Sequence, residues 1–399
     1  MNTFRALLLC LTFLLPHLFV AAAENPGQRK SVPIKFLAEL SDRNAFEAGD
    51  VAISGDAIVV GSIFDRFIDL YEKPTNGWQT TNTPTAVLTC DGAQYCYYPE
   101  IYGDTVVAIA ETGGGTSFAV DVFVKPSGGW TSMLPTEVLT DPDPLASFVA
   151  VAANGENIVA IAQEGGNPGY KAHIDIFGRP SGAWKDSMPS AILTASNGDY
   201  FEGLAMSGET IIAGAPEYYR NFGLGAAYIF VEPSGGWVNA TETAKLTPTD
   251  GDPYGANFGI AVAISTDATE VLVGELFSSS GAGAAFEFTK PSNGWVSTTE
   301  TAEFTRTSNE TSDDGFGTAV AINGNIALVG AEDAGAQYGQ GYAYLYQKPS
   351  GGWINSTPTT SGTCADRDCG EFGVTLAING STTVIGSSND NGAAWVYGP

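Results

Sequence analysis

Basic residues and histidine are scarce in this chain of 399 residues. Lysine and arginine number 17 against 44 aspartates and glutamates, a formal net charge of −27, and there are two histidines. That imbalance repels nucleic acid and anionic membrane surfaces, so neither is an expected partner. His17 falls in the first apolar segment, which leaves His173 as the one histidine for chemistry elsewhere. A histidine-rich metal site is excluded by count. His173 opens a strand-like run and reads as a half-exposed strand residue. No Gly-x-Ser-x-Gly elbow accompanies it, and no glycine loop precedes a helix, because no convincing helical pattern occurs. Carboxylates are abundant, yet nothing singles out a pair for glycoside cleavage. The expectation is a protein that is not an enzyme.

Long apolar runs are lacking after the first twenty residues. Residues 1–23 read as a secretory signal, with Arg5, an apolar run over 6–20 and the small residues Ala21, Ala22 and Ala23. The run is too short, and interrupted by Pro16, to span a membrane well. Residues 24–33 are polar and read as a flexible segment. Cysteine is also sparse: beyond Cys10 in the signal there are four, in two local pairs, Cys90 with Cys96 and Cys364 with Cys369. In an exported chain such pairs read as disulfides. Four Asn-x-Ser/Thr triplets, at Asn239, Asn309, Asn355 and Asn379, fall in predicted loops or turns, as glycan acceptors must. Together these features predict a secreted, glycosylated monomer without a transmembrane anchor.

What is plentiful is repetition. A Pro-Ser-Gly-Gly-Trp turn or a close variant ends at Trp78, Trp130, Trp184, Trp237, Trp295 and Trp353, and successive tryptophans lie 52, 54, 53, 58 and 58 residues apart. A period near 50 built from short apolar runs and turn residues marks radial or linear repetition. Each unit reads as four strands. In one copy they are 243–247, the small apolar run 258–264, then 271–274, and an aromatic third strand before the turn. Tight turns such as Ser54-Gly55-Asp56 and Asn323-Gly324-Asn325 join the first two strands. The second unit is irregular, with Tyr97-Tyr98-Pro99 in place of a clean strand.

The third-strand element occurs seven times, the last copy being 392–399. That copy has no fourth strand after it, whereas 35–40 is a spare fourth-type strand at the other end. Closing one with the other removes exposed sheet edges. The expected fold is all-β: residues 34–399 form a seven-bladed β-propeller of four-stranded antiparallel blades, the N-terminal strand completing the last blade.

Phe258-Gly259, Phe316-Gly317 and Phe372-Gly373, with Gly214-Ala215-Pro216 and Gly330-Ala331, resemble the FG-GAP repeat family, the blades of integrin α-subunit propellers. The resemblance implies the same fold and suggests adhesion. Integrin-type repeats often carry a calcium loop between the first two strands of a blade. The two-residue turns here cannot gather six to eight oxygens, so those sites do not carry over.

Two sets of long loops share one face, and function concentrates in such loops. They hold Asp141 and Asp143, Asp250 and Asp252, Asp313 and Asp314, with Tyr200, Tyr254, Tyr218 and Tyr219. Carboxylates beside exposed rings suit a glycan or a basic protein segment. The same residues also serve as ordinary turn and packing residues. No cofactor is expected beyond weak calcium in these acidic loops. The tryptophan turns lie on the opposite face, each ring expected against the outer strand of its own blade. The sequence thus predicts a secreted binding or adhesion propeller for an extracellular protein or glycan. The alternatives are a carbohydrate-active enzyme on the same scaffold and a structural matrix or wall component.

Overall fold

The computed structural model describes residues 20–21, 34–41, 48–62, 65–115, 117–144, 146–164, 171–179, 184, 188–216, 224–249, 257–276, 283–306, 314–335, 339–364, 370–388 and 393–399. Seven antiparallel sheets make seven blades. Blade 1 runs Ala48–Ser54, Ala57–Ser62, Phe67–Glu72 and Ala86–Thr89, from the axis outward. Blades 2 to 6 repeat that order, with third strands Ser117–Val124, Lys171–Gly178, Ala226–Val231, Ala284–Thr289 and Tyr342–Gln347. Blade 7 has three strands from the end of the chain, and Lys35–Ser41 supplies its fourth by pairing antiparallel with Ala393–Gly398. The ring is closed as the strand count predicts. The expected signal and flexible segments lie outside the described residues except for Val20–Ala21, which pairs with Thr360–Gly362 in the outer strand of blade 6.

The core is not one mass but seven wedges, one between each pair of neighbouring blades. The wedge between blades 5 and 6, for instance, gathers Leu272, Ala285 and Phe304 from one side and Phe316, Val329 and Tyr344 from the other. Second strands such as Thr210–Ala215 are buried along their whole length, because both faces meet a neighbouring blade. First strands such as Val262–Ile264 are only half-buried, since their inner face lines the axis.

Trp78, Trp130, Trp184, Trp295 and Trp353 are buried. Each sits against the fourth strand of the preceding blade rather than its own: Trp130 shares a wedge with Leu88, Trp184 with Leu139 and Trp295 with Leu246. The reason is in the chain just after Trp78, Trp130, Trp237, Trp295 and Trp353, which crosses to the neighbour and pairs parallel with its outer strand. Thr305 donates to the Ser356 carbonyl at 3.2 Å and Ser356 to that of Glu303 at 3.1 Å. The same exchange links Thr89 and Val87 to Met133. Two residues beyond the ring, a side-chain oxygen accepts another amide of that strand: Ser132 from Val87, Asn239 from Ile192, Asn355 from Glu303. Each of these described segments therefore covers a sheet edge that would otherwise be open.

The glycines explain the rest of the repeat. In Phe258, Phe316 and Phe372 the ring is fully buried, and the next residue, Gly259, Gly317 or Gly373, has φ near 100° (101°, 97° and 95°). Only glycine holds that backbone comfortably. Its carbonyl then points into the preceding blade, where Gly214, Gly274 and Gly330 leave no room for a Cβ. Gly386 of blade 7 meets the Gly49 carbonyl of blade 1 in the same way, so the lock also spans the closure.

Two local expectations need correction. Residues 258–261 are not regular strand, because the left-handed glycine breaks the ladder, and the strand proper begins at Val262. Blade 2, expected to be broken at Tyr97-Tyr98-Pro99, has a full strand, Tyr95–Tyr102. A bulge between Tyr97 and Glu100, with Tyr98 at φ 49°, absorbs Pro99.

Candidate functional site

The first strands converge on a cavity of about 680 Å³ at the axis, lined by residues of all seven blades. Its walls are mainly small and apolar: Val51, Ala150, Gly203, Ala261, Ala319 and Leu376 among them. Against these stand four carboxyl groups, Asp50 of blade 1, Glu100 of blade 2, Glu202 of blade 4 and Glu332 of blade 6. Neither lysine, arginine nor histidine is among the described lining residues. Most of them come from the beginnings of first strands, with Gln163, Leu276 and Glu332 from the ends of second strands or just beyond. The cavity therefore lies toward the face carrying the long loops.

The bulged strand of blade 2 builds one side of this site. Pro99 and the left-handed Tyr98 turn Glu100 toward the axis, and the Tyr98 amide donates to Asp50 Oδ2 at 3.2 Å. The Tyr98 ring is 48% exposed, an open aromatic face beside the acids. Enclosure by the blades pushes the Asp50 carboxyl up to about 6, against the opposing amide bond from Tyr98. Enclosure, then the charge of Asp50, pushes Glu100 up to about 8, although its side chain is open to the cavity. Glu332 rises to about 7 through enclosure and the charges of Asp333 and Glu371, and enclosure raises Glu202. These groups share an enclosed space with no lysine, arginine or histidine among its described lining residues.

The residues expected to bind do not gather there as a group. Tyr200 does line the cavity. Asp314 is buried, accepts from the Phe316 amide and pairs with the equally buried Arg306, so it faces no open surface. Asp143 donates its amide to Asp141. Tyr218, Tyr219, Asp250, Asp252, Tyr254 and Asp313 lie outside the described residues, as do Cys369 and Asn309. Cys90 and Cys96 form a disulfide, and Cys364 is also disulfide-bonded. Asn239 and Asn355 are exposed, and Asn379 stands at a half-buried hairpin turn.

Sequence reasoning passed over the four axial acids because Asp50 and Glu100 belong to strands and Glu202 and Glu332 directly adjoin strand ends, away from the long loop stretches that drew attention. A signal was present: Asp50, Glu100 and Glu202 stand in the first-strand segments of blades 1, 2 and 4, where blades 5 and 6 have Ile260 and Thr318.

His173 is a second departure. Expected to be half-exposed, it is buried, with Nε2 2.9 Å from Asp141 Oδ2 and 3.3 Å from Asp175 Oδ1. Burial pulls its pKa down, but the hydrogen bonds and charges of Asp175 and Asp141 outweigh that and push it up to about 9. Alternation along Lys171–Gly178 turns residues 173, 175 and 177 toward blade 2, which sets the histidine beside the loop carrying Asp141.

No curated protein matches the chain. Among solved structures, the crystal structure of Kluyvelomyces marxianus Hsv2 is similar over 85% of this chain and 88% of that one, with a TM-score of 0.50 at 10% identity. That likeness bears on the fold alone. The FG-GAP repeat model matches residues 240–288 and 298–346, which span the fourth strand of blade 4, the strands of blade 5 and the first three strands of blade 6. These are also stretches where the left-handed glycine and the glycine opposite it recur. The chain carries two adjacent FG-GAP repeats within a closed seven-bladed β-propeller.

Proposed function

We propose that this is a non-enzymatic binding propeller that takes a cationic side chain of an extracellular protein partner into its axial cavity. The observation carrying the reading is the convergence of Asp50, Glu100, Glu202 and Glu332 with no basic residue among the described walls. A guanidinium or ammonium group is the complement of such a site, and the exposed Tyr98 ring adds a face on which a cation can stack. The net charge of −27 would steer a basic partner toward the molecule before contact. The disulfides fit an extracellular setting, and no helix among the described residues is long and apolar enough to cross a membrane.

A tri-arginine peptide and its tri-citrulline counterpart test this reading by calorimetry. The arginine peptide is expected to bind the wild type. The Asp50→Asn, Glu202→Gln double variant should weaken it about tenfold or more, since hydrogen bonds to charged groups contribute about 1.5–3 kcal/mol each. Asp56→Asn, on an exposed hairpin away from the axis, should change little. Affinity should rise from pH 5 to pH 8 as the axial carboxyls ionise. Equal binding of the citrulline peptide, or no loss in the double variant, would refute the proposal.

A further inference from the structure

We infer that Asp141, His173 and Asp175 form a binding site for a divalent first-row transition metal ion such as Zn²⁺, at the junction of blades 2 and 3. One position, three residues before the end of each third strand, differs between the two halves of the ring. In blades 4 to 7 it is Tyr228, Phe286, Tyr344 and Trp395, each tilted or edge-on to a buried phenylalanine 5.3–6.1 Å away. In blades 1 to 3 it is Asp69, Asp121 and Asp175, all buried. Asp69 accepts from the Tyr71 hydroxyl at 3.4 Å, and Asp121 from the Asp91 amide at 3.0 Å.

Asp175 differs from these two. It is fully buried; its Oδ1 lies 3.3 Å from His173 Nε2, and its Oδ2 accepts no hydrogen bond among the described residues. A buried carboxylate with one oxygen left unpartnered is costly, and such a group calls for a further positive partner. What faces it is not a donor network but two further ligand atoms, His173 Nε2 and Asp141 Oδ2. All three lie within 4.8 Å of one another. The separations from the imidazole nitrogen, 2.9 and 3.3 Å, are close to the distances between neighbouring ligands around one small ion.

The donor set narrows the class of ion. One imidazole and two carboxylates suit zinc or manganese better than calcium, which takes oxygen alone and more of it. Two carboxylates, a neutral imidazole and a divalent cation sum to no net charge, which satisfies the buried aspartate. Three protein ligands leave room for water or a ligand atom to complete the coordination. The site is separate from the axial cavity, which none of the three residues lines.

Calorimetric titration of the chelator-treated full chain with ZnCl₂ tests the inference. One equivalent is expected to bind. His173→Gln and Asp175→Asn should each weaken binding at least about 100-fold, since loss of an outer-shell support alone costs about 10–100-fold. Glu100→Gln, in the axial cavity, should leave Zn²⁺ affinity unchanged. Co²⁺ in place of Zn²⁺ should give visible absorption bands that vanish in His173→Gln. If Asp175→Asn fails to fold, His173→Gln carries the test, with circular dichroism confirming its fold. Absence of stoichiometric uptake by the wild type would overturn the assignment. So would uptake that survives His173→Gln or is lost in Glu100→Gln.

Discussion

Replacing Gly386 by alanine is expected to destabilise the protein by about 3 kcal/mol or more, read as a lower urea midpoint. The Cα of this residue faces the Gly49 backbone carbonyl across the closure of the ring, and Thr375 Oγ1 crowds the same spot. An added Cβ would overlap backbone, which cannot rotate aside as a side chain can. Overpacking of ordinary side chains costs about 1–3 kcal/mol, and a clash with backbone stands at or above the top of that range. Gly351→Ala is the matched control. It lies in a tryptophan turn without a left-handed φ and with nothing within 4 Å of the new methyl, so a change within about 0.5 kcal/mol is expected. Equal effects at the two positions would mean that the glycines do not set the blade-to-blade distance.

Trp353→Ala should cost about 3–5 kcal/mol, the range for emptying a buried aromatic site. The ring is 4% exposed, 5.2 Å from Phe304 of the preceding blade, and Phe304 in turn stacks on Tyr346 at 4.6 Å. Lys348 Nζ lies 5.8 Å from the centre of the indole. Loss of the ring would open the wedge between blades 5 and 6 and loosen the segment that covers the outer edge of blade 5. Trp237→Ala, at a half-buried ring, should cost less. A ring of exposed sugar platforms would give the opposite pattern, with little change in stability at either position. Denaturant unfolding of the two variants separates the cases.

Much of this architecture was legible because the repeat prints the same physics seven times. A spare strand at 35–40 and a third-strand copy with no successor together announce closure, and Lys35–Ser41 pairing with Ala393–Gly398 is that closure. What periodicity could not show is direction. The tryptophan belongs to the wedge with the preceding blade, and only the parallel pairing of residues such as Ser356 with that blade's outer strand reveals it. Carboxylates in loops drew attention because loops hold most binding sites, yet Asp314 is paired in the interior with Arg306. The acids that converge were hidden in or beside strands of different blades, more than 230 residues apart in the case of Glu100 and Glu332. Convergence at the axis is a property of the closed ring, so no local window of sequence contains it. His173 was misread for a related reason. Its burial depends on Asp141, which the chain brings from the previous blade.

The central claim is that the axial carboxyls share an enclosed space with no counterion among its described lining residues, and stability against pH tests it most directly. Glu100 has its pKa raised to about 8 in the folded state, against about 4.5 for an ordinary glutamate. A raised carboxyl means that the folded protein holds a proton that the unfolded chain has released. Its contribution to stability is therefore present below about pH 4.5 and is lost as pH rises through 8. Asp50 and Glu332, raised to about 6 and 7, act in the same direction. Without added ligand, Glu100→Gln should melt at the same temperature as the wild type at pH 5 and above it at pH 8.5. An equal melting temperature at pH 8.5, or a variant less stable there than the wild type, would show that Glu100 already has a positive partner and would contradict the account.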